Sequence, residues 1–472
     1  MRTAFALLAV LLTAACRTAA VQPDIDSILE RVLREVPDLK SVGVAIVRDG
    51  KPYYAAAYGF ANVEQQSRAT AHTGYYIASS TKSYTGLACA MLAARGRLDL
   101  DAPIVKYLPE VTGDAGKITL RRFLTHTAPI INEPIVFRTA YSGEHTQAQL
   151  VSLLNSSMPR KSGFQYDNLG YVVASLVIER VTGKPWQRAL DELVFAPLGM
   201  RETTAYMSEA QRRAVAMPYE VNRQGEMVPS QYVKNDQMMH AAGGIVTTPA
   251  DLTRWLAANI NEAQPGFAEA HRQQVDVSVQ RDAFKASGYG FGWYQADYAG
   301  DKVLFHLGGF EGWRAHVSFM PEKKIGVAVV TNSGGQSGVV LNFLAASIYE
   351  RLLGKPDRNQ LPTLVDSLNE RRKQFVSGVA ERAKRPWMLK HPNEAYVGRY
   401  ENALFGPMVI EQRGDKLVAS LENLSAVFEA YTEPESARIE MPPGNGSVLR
   451  FAFDGDAVAS LKWDDEIFQR VK

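Results

Sequence analysis

The stretch Ser79-Ser80-Thr81-Lys82 is the most informative part of this chain for its fold, because it places a serine and a lysine three residues apart. A serine hydroxyl is a poor nucleophile at neutral pH and needs a base beside it. If Ser79 opens a helix, Lys82 lies on the same face and can reach the hydroxyl. A lysine accepts that proton only if burial or nearby positive charge lowers its pKa. The stretch therefore predicts a nucleophile, Ser79, and its general base, Lys82.

A second motif, Tyr166-Asp167-Asn168, follows much later in the chain. The phenol of Tyr166 can relay a proton between the nucleophile and the leaving group. The amide of Asn168 can hold Lys82 and a substrate carbonyl side by side. Taken alone, the triplet is more typical of a turn ahead of a helix.

The third motif is His306-Leu307-Gly308-Gly309. Glycines such as Gly308 let a substrate backbone lie close to a strand edge, and the Gly309 N–H is expected to complete an oxyanion hole with the N–H of Ser79. His306 is expected either to bind a substrate carboxylate or to tune Tyr166 as a partial cation. Taken alone, this stretch is more typical of a strand-to-loop transition with an exposed histidine.

Length and composition indicate a globular chain with more than one unit. Its 472 residues suggest two domains, or one large domain with an appendage, and 46% of them are hydrophobic while 22% are charged. The formal net charge is +2, and the basic residues are scattered along the chain. We therefore expect no nucleic-acid partner. No histidine or cysteine spacing is typical of a metal site, so we expect neither a metal nor another cofactor.

Residues 1–20 have the features of an export leader. Arg2 provides the positive charge, and the apolar run 4–12 is too short for a stable membrane anchor. The stretch Leu12-Thr13-Ala14-Ala15-Cys16 resembles a bacterial lipobox with an imperfect Thr13, which would make Cys16 a lipidated N-terminus. This interpretation is favoured over ordinary cleavage after Ala20. We expect an exported, periplasmic protein that contacts the membrane only through a lipid anchor at Cys16.

Hydrophobic periodicity organises the rest of the chain. Helical spacing begins at Ile25, and an Asp-Gly turn joins two strand-like runs, 42–47 and 53–58. Helices are expected over 81–95 and 171–182, and a second hairpin over 313–331. Strands at both ends and helices between them predict one antiparallel sheet with helices packed around it. Cys89 is expected to be a small buried side chain.

Beyond residue 355 the composition of the chain changes. Residues 356–385 are polar and predict a linker containing a helix, and short strand-like runs follow from Tyr396 onward. These runs predict a small β-barrel or sandwich of about 80 residues. The predicted organisation is a leader over 1–20, a main domain over 21–354, a linker over 355–391 and a C-terminal β-barrel over 392–472.

The order of the three motifs resembles that of the serine β-lactamase and penicillin-binding-protein superfamily. It is most similar to the class C β-lactamase-like serine hydrolases, which include D-alanyl-D-alanine carboxypeptidases, D-aminopeptidases and esterases. Further similar stretches, within a resemblance that covers about residues 25–352, are Leu98-Asp99-Leu100-Asp101-Ala102-Pro103-Ile104, Leu124-Thr125-His126-Thr127, Asn168-Leu169-Gly170-Tyr171, Thr182-Gly183-Lys184-Pro185 and Ala242-Gly243-Gly244-Ile245.

The resemblance implies an α+β fold, with an antiparallel sheet flanked by helices and a helical lobe. It also implies that Ser79 is the nucleophile, Lys82 the general base and Tyr166 the proton shuttle. The C-terminal segment resembles the lipocalin-like extra domain of some of these hydrolases. Two departures matter: His306 stands where β-lactamases of class C have a lysine, and Ala128-Pro129 replaces the usual Ser-Gly after the histidine motif.

The resulting expectation is an exported serine hydrolase that acylates Ser79 with an amide or ester substrate. The substrate class expected is a D-amino-acid-containing peptide or a small ester. Because His306 is typical of the peptidase-like members, β-lactamase activity is the alternative. A catalytically inactive protein that binds muropeptides or β-lactams is an alternative of another class.

Overall fold

A nine-stranded antiparallel sheet forms the centre of the main domain. The computed structural model describes residues 24–143, 145–230, 232–356, 359–441, 446–455 and 457–471, so the predicted leader and Cys16 lie outside the described residues. The strands, in the spatial order β4-β5-β6-β7-β8-β9-β1-β2-β3, are β1 (Ser41–Arg48), β2 (Lys51–Asn62), β3 (Ser67–Arg68), β4 (Val275–Arg281), β5 (Phe284–Tyr289), β6 (Tyr294–Tyr298), β7 (Asp301–Phe310), β8 (Trp313–Met320) and β9 (Ile325–Thr331).

The sheet joins the two ends of the main domain, as predicted. β1 pairs with β9, with Val44 opposite Val329, and the predicted hairpins are β1–β2 and β8–β9. β1 is buried along nearly its whole length because both faces of the sheet are covered. Val44 belongs to the hydrophobic cluster on one face, and Ala45 belongs to the cluster on the other.

Helices cover both faces of the sheet. Residues 24–35 form α1, and the remaining helices are α2 (Thr81–Ala94), α3 (Gly113–Lys117), α4 (Leu120–Leu124), α5 (Glu133–Phe137), α6 (Gln147–Leu154), α7 (Leu169–Thr182), α8 (Trp186–Leu190), α9 (Met207–Ala210), α10 (Pro249–Ile260), α11 (Phe267–His271), α12 (Ser337–Leu352), α13 (Leu361–Ala383) and α14 (Asn393–Tyr396). The helices predicted over 81–95 and 171–182 correspond to α2 and α7. Cys89 of α2 is fully buried, as expected. Within the described residues, every helix falls short of the length and hydropathy that a membrane crossing requires.

The C-terminal unit is a second antiparallel sheet of nine strands. Its strands, in the spatial order β13-β12-β11-β10-β18-β17-β16-β15-β14, are β10 (Gly398–Asn402), β11 (Gly406–Arg413), β12 (Lys416–Leu421), β13 (Leu424–Val427), β14 (Glu429–Ala430), β15 (Ser436–Glu440), β16 (Gly446–Asp454), β17 (Ala457–Trp463) and β18 (Glu466–Val471). The two edge strands, β13 and β14, are consecutive in the chain and separated by Phe428 alone. The sheet therefore wraps round into a nearly closed barrel, as predicted.

The barrel is docked on the main domain through α5 and the turn after it. Phe137 belongs to the core of the barrel, with its ring centroid 5.8 Å from that of Phe405 and 5.6 Å from that of Trp463. Beside it, Arg138 forms a 2.5 Å salt bridge with Glu422. The predicted linker helix is α13, which is 23 residues long.

Candidate active site

Ser79 lies in a single 3-10 turn, Ala78–Ser80, that leads directly into α2. The residue before it, Ala78, has a φ of +44°, a conformation that costs energy for a residue with a side chain. The turn packs against β7 so closely that a Cβ on Gly308 would lie 2.0 Å from the carbonyl oxygen of Ile77. Only a glycine at position 308 therefore allows the nucleophile turn to reach this strand.

Lys82 is fully buried and lies one turn after Ser79, as predicted. Its Nζ is 3.2 Å from Ser79 Oγ, 2.8 Å from Asn168 Oδ1 and 2.9 Å from the carbonyl oxygen of Ala242. Burial lowers the pKa of Lys82 to about 7, although the charge of Asp167 acts to raise it. A neutral amine donates two hydrogens, to Asn168 and Ala242, and its lone pair is then available to the Ser79 hydroxyl.

Tyr166 lies beside Ser79, and its residue surface is 40% exposed. Burial of the hydroxyl raises the pKa of Tyr166 well above its ordinary value and outweighs the interaction with the Ser79 side chain, which acts to lower that pKa. The Lys82 Nζ is 4.8 Å from the centroid of the Tyr166 ring. The phenol is therefore protonated at neutral pH and lies within reach of the nucleophile.

His306 does not have the properties that the sequence predicted. It is 1% exposed, and burial lowers its pKa well below the ordinary value, so the imidazole is neutral. Its ring centroid is 6.0 Å from that of Tyr166. The expectation that the His306 side chain binds a substrate carboxylate or acts as a partial cation is wrong, because the ring lies inside the protein and desolvation disfavours its charged form.

A chain of hydrogen bonds connects the second motif with the third. The Asp167 backbone N–H donates to His126 Nδ1 over 3.3 Å, and His126 Nε2 is 3.2 Å from the hydroxyl of Tyr289. That hydroxyl is 3.4 Å from His306 Nε2, and His306 Nδ1 is 2.8 Å from the carbonyl oxygen of Leu307. Burial lowers the pKa of His126 to about 4, so both imidazoles are neutral.

These partners determine the protonation of both rings. His126 Nδ1 accepts from a backbone N–H, so its proton is on Nε2 and is donated to Tyr289. His306 Nδ1 faces a carbonyl and must carry the proton, so its Nε2 accepts from the Tyr289 hydroxyl. Every donor in the chain thus points from Asp167 towards β7, and Tyr289 links the two motifs.

His126 and Tyr289 are site residues that the sequence analysis missed. The stretch Leu124-Thr125-His126-Thr127 was recognised only as a family-like pattern, although His126 lies 4.5 Å from Tyr166 between ring centroids. The backbone φ of His126 is +57°, and the sequence gives no sign of this conformation. Tyr289 stands 163 positions after His126 in the chain, so only the tertiary fold brings the two side chains together.

The end of β7 offers an open edge beside the nucleophile. β6 pairs with β7 only as far as Phe305, which lies opposite Tyr294, whereas β8 pairs with β7 as far as Phe310. On the β6 side, residues 306–310 have no strand partner in the described part of the chain. Gly309 is exposed there. An extended substrate backbone has room to lie along this edge, with the predicted oxyanion donor Gly309 next to it.

In the part of the chain that the structure describes, no group of three or more His, Cys, Asp and Glu side chains is arranged to hold a metal ion.

Comparisons with known proteins match most of the main domain. Residues 29–350 match the protein-family model described as Beta-lactamase. The chain is 25% identical over 319 residues to Protein flp of Staphylococcus aureus (strain MW2), a match that covers 66% of this chain and 63% of that protein. It is also 29% identical over 387 residues to Esterase EstB of Burkholderia gladioli. This match covers 71% of this chain and 96% of the esterase.

A solved structure shares the fold of the main domain. The D-amino acid amidase from Ochrobactrum anthropi SV3, in its complex with L-phenylalanine amide, superposes with a TM-score of 0.62 at 23% identity. The superposition covers 71% of this chain and 99% of the amidase chain. The two chains therefore share a fold over most of their length.

Proposed function

This chain belongs to the beta-lactamase family, and on that premise we propose that it is a serine hydrolase that forms an acyl-enzyme on Ser79. The observation that carries this proposal is the buried Lys82, whose Nζ lies 3.2 Å from Ser79 Oγ and whose pKa is lowered to about 7. A neutral amine in that position is the base that a serine nucleophile requires.

The reaction follows from the geometry of these groups. Lys82 accepts the proton of Ser79 as the hydroxyl oxygen adds to the substrate carbonyl, and the N–H groups of Ser79 and Gly309 bind the resulting oxyanion. The proton then passes through the Tyr166 phenol to the leaving amine or alcohol as its bond to the acyl carbon breaks. Water then attacks the Ser79 ester, and its proton passes through the same groups in the reverse order. This step releases the acid and restores the Ser79 hydroxyl.

We propose that the substrate is a D-amino-acid-containing peptide or a small ester. The similarity to an amidase for D-amino acids and to an esterase supports this class. β-Lactamase activity is the alternative, and the family description supports it, whereas the neutral His306 in place of a lysine does not. We also propose that the protein is exported and contacts the membrane only through a lipid on Cys16.

Intact-mass spectrometry of the mature protein tests these proposals. We expect a stoichiometric fluorophosphonate adduct on the native protein and none on Ser79→Ala, and an unlabelled native protein would contradict the hydrolase proposal in favour of an inactive binding protein. With benzylpenicillin, a lasting adduct indicates a penicillin-binding peptidase and a transient one indicates β-lactamase turnover. The mass before reaction also tests lipidation of Cys16.

A further inference from the structure

A cavity of about 1300 Å³ lies where the main domain, α13 and the barrel meet. The main domain contributes the end of β7 and the turn after it, residues 309–311, together with Tyr141. One face of α13, which includes Leu368 and Phe375, forms a second wall, and strands β14 and β15 of the barrel form a third. Gly309 belongs both to this cavity and to the predicted oxyanion hole.

The orientation of a substrate along β7 follows from the position of Tyr166. Tyr166, which protonates the leaving group in the proposed reaction, lies over His306 at the near end of the open edge. The leaving group of a substrate whose carbonyl is bound at Gly309 therefore lies towards His306. Its acyl part extends the other way, past Phe310 to Glu311, and enters the cavity.

The size of the cavity favours an acyl part of more than one residue. Pockets for small molecules usually measure about 300–1,000 Å³, and this cavity is larger. Glu311 stands in the turn two positions after Gly309, so the two Cα atoms are at most about 7 Å apart, which is the length of one to two residues of an extended substrate.

Glu311 is the carboxylate of this cavity that is left to bind a ligand. Within the described residues, Glu311 forms no hydrogen bond and no salt bridge, and it is only partly exposed. The other carboxylates of the lining have partners: Glu35 pairs with Arg31, Asp38 with Arg372, Glu429 with Arg223, Glu440 with Arg438, and Glu220 accepts from the backbone N–H groups of Gly312 and Gly335.

In the described part of the chain, Arg314 forms no ion pair with Glu311, although its charge acts to lower the pKa of that carboxyl. Arg314 donates to the carbonyl oxygens of Phe310, Trp313 and Gly335 instead. Burial, together with the charge of Glu220, raises the pKa of Glu311 to about 7. An ammonium group beside Glu311 would offset the cost of ionising this buried carboxyl, because a nearby positive charge favours the carboxylate.

We propose that this cavity binds the acyl part of a peptide substrate and that Glu311 binds a cationic group one to two residues from the scissile carbonyl. The inference rests on the proposed serine hydrolase function. It assigns the barrel and α13 a share in substrate selection, because both form walls of the cavity.

Two matched thioesters test the proposal, because a thioester is cleaved readily by peptidases and esterases alike. Glycyl-D-alanyl and propionyl-D-alanyl thioglycolate differ only by an ammonium group in place of a methyl group. We expect the native protein to cleave the glycyl compound with a kcat/KM about tenfold higher. Glu311→Gln should abolish this preference, so that the two compounds are cleaved with about equal kcat/KM, whereas Glu322→Gln, on an exposed turn between β8 and β9, should keep it.

The outcomes separate this inference from the proposed function. A native protein that reacts with a fluorophosphonate at Ser79 but shows no preference between the thioesters would overturn the role of Glu311. Retention of the preference in Glu311→Gln, or a clear preference for the propionyl compound, would overturn it as well. Absence of any Ser79 adduct would instead contradict the hydrolase proposal itself.

Discussion

At the scale of single residues, burial gives Lys82 and His306 the chemistry that the site uses. Both side chains are almost completely buried, and in both cases desolvation lowers the pKa. For Lys82 the result is a base that is partly neutral near pH 7. For His306 the result is a neutral ring that positions β7 and Tyr289, rather than a group that binds substrate.

The acylation rate should rise with pH as Lys82 loses its proton. Because its pKa is lowered to about 7, the neutral fraction increases as the pH passes upward through that value. We expect the rate constant for fluorophosphonate labelling of Ser79 to increase between about pH 6 and 8 and then to level off. Lys82→Arg, which stays charged, should label much more slowly throughout this range. A native rate that is flat across it would contradict the role of Lys82.

Tyr289→Phe should slow acylation, because it interrupts the hydrogen bonds that join His126 to His306. The change leaves two buried nitrogens without a partner, which costs about 1–3 kcal/mol of unfolding free energy. We expect labelling of Ser79 to slow by about 10- to 100-fold as β7 and Tyr166 lose their alignment. Nitrogen-15 NMR should also report that the His306 tautomer is no longer uniform.

Tyr349→Phe is the matched control for this substitution. The Tyr349 hydroxyl is equally buried and donates to Ser318 Oγ over 3.0 Å, outside the chain of hydrogen bonds through His126, Tyr289 and His306. It should lose comparable stability but label at the native rate. Equal labelling rates for the two variants would show that Tyr289 has only a structural role.

At the scale of elements, the contact between the turn Ala78–Ser80 and β7 brings Ser79, the proposed nucleophile, to the strand that carries Gly309, the proposed oxyanion donor. Ser80 Oγ donates to the carbonyl oxygen of His306 over 3.3 Å, and Gly308 allows the two backbones to meet. α2 continues the turn and places Lys82 behind Ser79, while α7 begins immediately after Asn168. Three elements from distant parts of the chain therefore converge on one hydroxyl.

Gly308→Ala should separate the turn from the strand. The added Cβ would lie 2.0 Å from the Ile77 carbonyl oxygen, which is backbone and cannot rotate away. We expect the labelling rate of Ser79 to fall by about 100-fold, the loss typical of a displacement near 1 Å. Gly338→Ala is the control, because its Cβ would lie 3.7 Å from its nearest neighbour, Arg314 Cδ. Native labelling of Gly308→Ala would contradict this account of the turn.

At the scale of the whole molecule, the barrel and the main domain share a hydrophobic contact next to the cavity. Phe137 of α5 is inserted in the core of the barrel, and Tyr141, one turn later, lines the cavity and lies 5.9 Å from Phe310 between ring centroids. The segment that docks the barrel therefore also contacts the end of β7.

Phe137→Ala should uncouple the two units without altering a strand of the barrel. Truncating a buried phenylalanine costs about 3–5 kcal/mol, and here that loss falls on the docking contact. We expect scanning calorimetry to resolve two unfolding transitions in the variant where the native protein has one. Phe451→Ala, which removes a core ring within the barrel itself, should lower the stability of the barrel alone. A single unshifted transition for Phe137→Ala would contradict the coupling.

Much of the architecture was predictable because it depends on local chemistry. The Asp-Gly hairpin, the helices at 81–95 and 171–182 and the strand-rich C-terminal segment are patterns of neighbouring residues, and the structure confirms them. The spacing from Ser79 to Lys82 belongs to the same class, since one helical turn brings the two side chains together. The position of Asn168 beside Lys82 was also expected.

The sequence by itself determined the pairing of Ser79 with Lys82, the proposed nucleophile and base, and the order of the elements, because each is encoded within a few consecutive residues. Only the tertiary structure decided the lowered pKa of Lys82, the neutral state of His306, the link through Tyr289 and the cavity that contains Glu311. These properties depend on desolvation and on hydrogen bonds between separate segments of the chain, such as those from Lys82 to Ala242 and from His126 to Tyr289. Packing of the whole chain creates both, and no local pattern encodes either.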